Sequence, residues 1–301
     1  MNVQAELNGG VATATAPKQG IVWIASFPKS GNTWTRTFLH NLVNIQSGNT
    51  EAQRINEMNR FSTWDIDKKI YEKLLGYVLR SDQKREIAAT RHKVHEYIAD
   101  GAEGLVFVKS HNALVMDRGY STINFAVTSG AIYIVRNPLD VAISYAHHMG
   151  ISIDSTIAKL AAENAETKAT TTAVYEVLGS WSQHVMSWTR KPHRAIYVMR
   201  YEDMLADPHQ AFGRLARHLL LDPTEEQLMH AIDLSSFEKL KEQEEKGGFR
   251  ERPKEAKRFF REGRAGQWKE TLTPLQIQRI IRDHREQMTR FGYLKGDGTP
   301  V

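Results

Sequence analysis

Residues 21–34 read IVWIASFPKSGNTW, and the fold class can be inferred from this segment. Its first six residues form an apolar run of the length expected for a β-strand that is buried on both faces. A polar turn follows, and the next apolar residues recur at helical spacing on one face: Trp34, Phe38, Leu39, Leu42 and Val43. A strand, a turn and a helix in this order predict the first unit of an α/β fold.

Three further apolar runs extend the pattern: LVFVKS at 105–110, AIYIVR at 131–136 and AIYVMR at 195–200. Stretches with helical periodicity separate them. Three pairs of a capping residue with proline predict helix starts: Asp207-Pro208, Asp222-Pro223 and Thr273-Pro274. Gly292 predicts the end of the last helix. We therefore predict a single α/β domain at 21–301, with a central, mostly parallel sheet flanked by helices, and a flexible tail at 1–20.

The composition is that of a globular protein with a mildly basic balance. The 301 residues are 41% hydrophobic and 25% charged, with a formal net charge of +5, which excludes a largely disordered chain. The absence of cysteine excludes disulfides, thiolate metal sites and cysteine nucleophiles. No segment reaches the ~18 apolar residues of a membrane helix, and the N-terminus lacks the pattern of a signal peptide. We expect no membrane association and a cytoplasmic location.

Polar and cationic residues stand where each apolar run ends. They are Pro28-Lys29-Ser30-Gly31-Asn32-Thr33, Lys109-Ser110-His111, Arg136-Asn137-Pro138 and Tyr201-Glu202-Asp203. Ligands of parallel α/β sheets bind outside the carboxyl ends of the strands, which meet at one edge. The four endings together predict a binding site at that edge.

The turn at 28–34 predicts phosphate binding. Backbone N–H groups at a helix N-terminus attract an anion, Gly31 lets the backbone approach it closely, and Lys29 adds a positive charge. The alternative is an ordinary turn in which Ser30 or Thr33 caps the helix. The lysine precedes the glycine, so the Walker A pattern is absent and an ordinary ATPase or kinase is disfavoured.

Two other endings carry candidate chemistry. Ser144 lies about two helical turns after Arg136, and the two side chains could bind a second phosphate. Alternatively, Arg136 could cap local carbonyls or pair with Asp140. Arginine in place of aspartate at this strand end predicts an anion site and no metal. His111, beside Lys109, is a candidate general base, although the chain has twelve histidines and most have structural roles.

The stretch 250–264, RERPKEAKRFFREGR, carries a net charge of +4 and so most of the excess of the whole chain. Such a run is usually a solvated face. Its Phe259-Phe260 pair and the nearby Gly263, Gly266 and Trp268 indicate instead a loop folded over a ligand.

Taken in chain order, these motifs resemble those of the cytosolic sulfotransferases. Residues 28–34 resemble their 5′-phosphosulfate-binding loop, RNPLDVAISY at 136–145 their 3′-phosphate-binding segment, and REGRAGQWK at 261–269 their C-terminal signature. Further blocks match at 109–111, 179–185 and 201–204. The likeness runs from about residue 21 to the end of the chain.

The resemblance implies a P-loop NTPase-like α/β fold and 3′-phosphoadenosine 5′-phosphosulfate (PAPS) as sulfuryl donor, with PAP as product and no metal. It implies that His111 deprotonates the acceptor and that Lys29 stabilises the leaving oxygen. Ser144 would modulate that lysine, and Lys109 would lie near the transferring group. The donor-binding set that it implies is Lys29, Ser30, Gly31, Asn32, Thr33, Trp34, Arg136, Ser144, Tyr201, Ser235, Ser236, Phe237, Phe260, Arg261 and Gly263.

Three positions depart from the family pattern. Glu262 replaces a usual lysine near the 3′-phosphate, which we expect to weaken PAPS binding. Asn32 replaces a common threonine and keeps a polar group. The segment at 269–278 lacks the Val and Glu of the family's dimerisation motif, so the oligomeric state stays open.

The leading hypothesis is a PAPS-dependent sulfotransferase that acts on the hydroxyl or amine of a small molecule. A nucleotide-dependent kinase on a variant phosphate loop and a non-enzymatic polyanion binder are the alternatives. The sequence offers no recognised nucleic-acid module. The long, helical segment between residues 49 and 103 is expected to shape or cover the acceptor pocket. Candidate acceptor contacts are Phe27, Tyr145, His148 and Trp181.

Overall fold

The structure is a computed structural model that describes residues 19–301. The tail predicted at 1–20 lies almost entirely outside the described residues. A five-stranded sheet with the order β2-β3-β1-β6-β7 forms the centre, and all of its neighbouring strands pair in parallel. A separate two-stranded ribbon pairs β4 with β5. The strands are β1 Gly20–Ser26, β2 Ser62–Trp64, β3 Leu105–Ser110, β4 Met116–Asp117, β5 Tyr120–Ser121, β6 Thr128–Val135 and β7 Ile196–Arg200.

Helices cover both faces of the large sheet, as the near-continuous apolar strands predict. They are α1 Asn32–Gln46, α2 Lys68–Leu75, α3 Lys84–Asp100, α4 Pro138–Met149, α5 Ile153–Ala161, α6 Trp181–Thr189, α7 Tyr201–Ala206, α8 Pro208–His218, α9 Glu225–Leu234, α10 Phe237–Gly247, α11 Trp268–Thr271 and α12 Pro274–Arg290. Two 3-10 turns lie at Ile55–Arg60 and Phe125–Val127.

Alternate residues of the central strands enter two different cores. Trp23 and Tyr133 face a core that α3, α4, α6 and α12 complete. Ile24 and Ile134 face the opposite core, which is built with α1, α8 and α9. Because successive side chains of a strand point to opposite faces, one apolar run supplies both layers.

The four strands and the α/β class predicted from the sequence are confirmed. The helix starts at Asp207 and Thr273 are also confirmed, since both side chains cap their helices. The start at Asp222-Pro223 is wrong. That helix begins at Glu225, because Thr224 forms a capping box with Gln227.

The segment between residues 49 and 103 is largely helical, as expected, but it also contributes β2. This three-residue strand extends the sheet beyond β3. It brings Trp64 to the edge of the sheet where the turn at 28–34 lies.

Candidate active site

A cavity of about 760 Å³ opens at the carboxyl edge of the sheet. All four strand endings that the sequence analysis marked contribute to its lining: Lys29, Lys109, His111, Arg136 and Tyr201. The parallel strands therefore gather these side chains at one place.

The turn at 28–34 leads into the start of α1. Gly31 caps the helix with φ 107°, and within residues 19–301 no side chain bonds to the first N–H groups of the helix. A Cβ at Gly31 would lie 2.8 Å from Cδ2 of Tyr201, so only glycine fits. The Ser30 hydroxyl is buried and has no hydrogen-bond partner within residues 19–301. This geometry favours the phosphate-binding interpretation over the simple side-chain cap.

Asn32 and Trp34 take different parts in the same turn. The Asn32 amide donates to the carbonyl of Ile24 over 2.7 Å, so its side chain fastens the helix start to β1. The Trp34 ring lines the cavity and meets the Tyr201 ring edge to face at 6.0 Å. Thr33 also lines the cavity. An adenine ring could pack beside these two aromatic rings.

Lys29 is enclosed among cations and an aromatic ring. Burial, reinforced by Arg136 and Lys109, lowers its pKa to about 7. Its Nζ lies 3.9 Å from the centre of the Phe259 ring and 3.5 Å from Nδ1 of His148. In the described part of the chain, no carboxylate lies within ion-pair distance of this lysine. A bound anion would therefore be its charge partner.

Arg136 ties two loops together at the cavity wall. It donates to the carbonyls of Lys29 and Arg264 over 3.0 and 3.3 Å. It does not pair with Asp140, whose carboxylate accepts the N–H groups of Gly266 and Trp268. The Nε of Arg136 is buried without a hydrogen-bond partner in the described chain. Ser144 lines the cavity as well. Arg136 thus caps carbonyls and still has one donor available for a ligand.

The hydrogen bonds of His111 fix its tautomer. Its Nδ1 lies 2.7 Å from the carbonyl oxygen of Ser26, so Nδ1 carries the proton, and no hydrogen bond engages Nε2 within residues 19–301. Its backbone N–H donates to Oε1 of Glu176 over 2.7 Å. Burial, with Lys109 as the next cause, holds the pKa of His111 well below its usual range. The ring is therefore neutral at pH 7.

Lys109 is engaged by a carboxylate that sequence reasoning missed. Glu251 accepts from Nζ of Lys109 at 3.0 Å and from the fully buried Arg36 at 2.8 Å. Lys109 also lies 4.5 Å from the centre of the Trp64 ring. Burial alone would raise the pKa of Glu251, but the two cations outweigh it and lower the pKa to about 2.

Residues 248–267 form neither helix nor strand and fold over the cavity. Phe260 packs with Phe249 and Leu240 in a small core of its own. A Cβ at Gly263 would lie 2.3 Å from the Phe237 ring, so glycine is required there. Aromatic and glycine residues of this stretch line the cavity, whereas most of its lysine and arginine side chains are exposed, so the stretch is both a cavity wall and a solvated face, and its closure over a ligand stays a prediction.

Glu262 bonds the cations on either side of it. Its carboxylate lies 2.8 Å from Arg261 and 2.8 Å from Arg264. Arg261 also donates to Gln267, and Arg264 pairs with Glu270 at 2.9 Å. The positive charge of this segment is therefore partly neutralised by the segment itself.

Several predicted site residues do not line the cavity. Phe27 packs against the rings of Tyr145 and His184 in the core, and Trp181 packs against His284. Ser235 is buried and bonds to Ala231 and Asn41, while Ser236 precedes α10. The lining does include these predicted residues: Lys29, Gly31, Asn32, Thr33, Trp34, Lys109, His111, Arg136, Ser144, Tyr145, His148, Tyr201, Phe237, Phe260, Arg261 and Gly263.

Residues 19–301 contain no cluster of three or more histidine and carboxylate side chains that could hold a metal ion. In the same part of the chain, no helix is long and apolar enough to cross a membrane.

The fold is that of a P-loop-like α/β protein, and Lys29, Lys109 and Arg136 line the cavity at the carboxyl edge of its sheet. The chain belongs to the sulfotransferase family, because the family model for the sulfotransferase domain matches residues 19–292. Curated relatives include cytosolic sulfotransferase 13 of Arabidopsis thaliana, which is 30% identical over 52% of this chain and 51% of its own length. Sulfotransferase 1B1 of the dog is 30% identical over 52% of this chain and 54% of its own. The chain thus matches about half the length of each.

Solved structures share the fold at low sequence identity. Retinol dehydratase in complex with androsterone and PAP aligns with a TM-score of 0.63, 19% identity, and coverage of 89% of this chain and 80% of that one. Mouse sulfotransferase SULT7A1 in complex with PAP aligns with a TM-score of 0.56, 18% identity, and coverage of 89% and 84%. These likenesses confirm the α/β, P-loop-like fold expected from the motifs.

Proposed function

We propose that this protein transfers the sulfuryl group of PAPS to a hydroxyl or an amine of a small molecule. The observation that carries the proposal is the placement of a neutral His111, with Nε2 free, in one cavity with Lys29, Lys109 and an uncapped helix start. Sulfuryl transfer needs in-line positioning and cationic stabilisation of oxygens more than covalent help from the protein.

Polar atoms that have no hydrogen-bond partner within residues 19–301 support this donor. The N–H groups at the start of α1, the Ser30 hydroxyl and Lys29 would hold the 5′-phosphosulfate. Arg136, through its free Nε, and Ser144 would bind the 3′-phosphate, with Arg261 and Gly263 on the covering loop. The adenine-binding part of the proposal rests on the aromatic rings of Trp34, Tyr201 and Phe237.

The chemistry follows from two side chains. Nε2 of His111 takes the proton from the acceptor as the bond from acceptor oxygen or nitrogen to sulfur forms. The bond from sulfur to the bridging oxygen breaks, and Lys29 stabilises the charge that develops on that oxygen. Lys29 starts with a lowered pKa, and an anion bound beside it raises that pKa again, so the lysine is cationic when the donor is present.

The similar proteins support PAPS as the donor and a small molecule as the acceptor. Retinol dehydratase was solved with PAP together with androsterone or retinol, and SULT7A1 was solved with PAP. The curated relatives include a flavonol 3-sulfotransferase of Flaveria bidentis and an amine sulfotransferase of the rabbit. We accordingly propose a small-molecule acceptor. The name of the Arabidopsis relative, a cytosolic sulfotransferase, supports a cytoplasmic location.

A panel of phenols, alcohols and amines with radiolabelled PAPS in the presence of EDTA tests the proposal. We expect labelled product from at least one acceptor class, and none when ATP and magnesium replace PAPS. Activity with ATP and magnesium alone would indicate the kinase alternative. Absence of transfer together with tight, steeply salt-dependent binding of DNA or RNA would indicate a polyanion binder.

A further inference from the structure

Glu176 is a buried carboxylate in the wall of the cavity, next to the proposed base. Glu176 is 5% exposed and lines the cavity together with His111 and Tyr145. Its Oε1 accepts the backbone N–H of His111. In the described part of the chain, no hydrogen bond engages its Oε2 and no cation lies within 4.0 Å of it. One oxygen of this carboxylate therefore remains for a ligand.

The cations near Glu176 only partly offset its negative charge. Lys109 lowers the pKa of Glu176 but forms its ion pair with Glu251, and Lys159 and Lys168 are exposed side chains that line the cavity. A second buried carboxylate, Asp65, raises the pKa of Glu176 and has no lysine or arginine partner among the described residues. In the described part of the chain, these two buried carboxylates therefore have no ion pair with lysine or arginine, although the donor half of the cavity is cationic.

The surroundings of Glu176 suit a bound cation. Burial, with the charge of Asp65 as the next cause, raises the pKa of Glu176 to about 7, so a cationic ligand would favour its ionised form. The neighbouring Tyr145 offers an aromatic ring, and burial together with Glu176 raises its pKa to about 12, which keeps the phenol neutral. A carboxylate beside an aromatic ring is a good environment for an ammonium group.

We propose that the acceptor carries a protonated amine in addition to the hydroxyl that receives the sulfuryl group, and that Glu176 is the specificity-determining residue that binds this amine. The inference rests on the proposed function, because the cavity must be an acceptor site. The hydroxyl would meet Nε2 of His111 while the ammonium meets Oε2 of Glu176. The anionic donor, once bound, neutralises the lysines near it and adds to the attraction for a cation.

The test compares tyramine with 4-propylphenol, which has the same shape but a methyl group in place of the ammonium. Both are titrated calorimetrically into the protein–PAP complex and are also offered as acceptors with radiolabelled PAPS. We expect tyramine to bind at least about tenfold tighter, the lower end for a hydrogen bond to a charged group. Equal or weaker binding of tyramine, or failure of both phenols to bind, would overturn the inference.

Variants of Glu176 distinguish its binding of the amine from its hydrogen bond to the backbone of His111. In Glu176→Gln the amide oxygen still accepts the His111 N–H but the charge is lost, so the ratio of the tyramine affinity to the 4-propylphenol affinity should fall to about one. Glu176→Asp keeps the charge and should retain part of the preference for tyramine. Glu255→Gln is the matched control, because Glu255 is exposed at the cavity rim, and it should keep the preference. A merely structural Glu176 would lower kcat for both phenols alike and leave the ratio unchanged, which would overturn the inference.

Different results would contradict the sulfotransferase function and the amine site at Glu176. Preferential binding of tyramine without any labelled product would contradict the sulfotransferase function and leave the amine site standing. Labelled product from both phenols at equal efficiency would support the transferase and reject the amine site.

Discussion

Replacing Glu251 with glutamine should destabilise the protein, because this carboxylate is the charge partner of two cations in the covered cavity. Arg36 is fully buried and Lys109 is mostly buried, and both lie within 3.0 Å of Glu251. Glutamine keeps the size of the side chain but turns an N–H₂ group toward one of the cations. A buried charge left without its partner is strongly destabilising.

The size of the effect follows from the pKa of Glu251, which falls from 4.5 to about 2 on folding. A shift of this size corresponds to about 3 kcal/mol of stability at pH 7, which neutral glutamine lacks. Since the folded-state pKa is lowered, the stabilisation is full above the unfolded-state value and is lost as the pH falls toward 2. By pH 4, the difference between wild type and variant should have shrunk by about 1 kcal/mol.

Urea denaturation at pH 7 and at pH 4 measures both quantities, and thermal unfolding should show a midpoint lowered by about 5 °C at pH 7. Glu255→Gln is the control, since it makes the same change at an exposed position of the same loop. If Glu251→Gln were as stable as that control at pH 7, or if its deficit did not shrink at pH 4, the assignment of a buried ion-pair bridge would be refuted.

Three further predictions concern the donor site and the base. Lys29→Ala removes a buried cation, so PAP should bind about tenfold to a hundredfold more weakly in calorimetry and turnover should fall; unchanged PAP affinity would contradict this. Gly263→Ala should weaken PAP binding because its Cβ would collide with Phe237, whereas Gly266→Ala, with a similar positive φ and open space, serves as control; equal PAP affinities would contradict this. Since the pKa of His111 is well below 6.5, kcat/KM for a neutral acceptor should not fall through protonation of this group between pH 8 and 6.5, and a rate profile that falls through its protonation in that range would contradict the lowered pKa of His111.

The fold was predictable where burial on both faces leaves a continuous apolar run. Residues 21–26 and 131–136 are such runs, and their alternation into two cores needs no further information. The strand at Ser62–Trp64 was missed because it is short, polar at its start and adjacent to one strand only. The false start at Asp222-Pro223 shows that a complete capping box outweighs a single aspartate before proline.

The site was predictable where a residue belongs to a local motif, as Lys29 and His111 do. Glu251 was visible in the sequence only as a minority charge in a basic stretch. Its partners Arg36 and Lys109 lie 215 and 142 residues away, so their pairing depends on the tertiary fold. Glu176 was missed for the same reason, because only folding brings it to the backbone of His111.

The proposed transfer chemistry is tested by comparing sulfuryl transfer by the wild-type protein and by His111→Ala. Both proteins are given radiolabelled PAPS and an acceptor from the panel in the presence of EDTA, and their affinities for PAP are measured in parallel. We expect labelled product from the wild type, a loss of at least about a hundredfold in the variant, and nearly equal PAP affinities. Normal turnover by His111→Ala, or no transfer from PAPS by the wild type to any acceptor, would contradict the proposed chemistry.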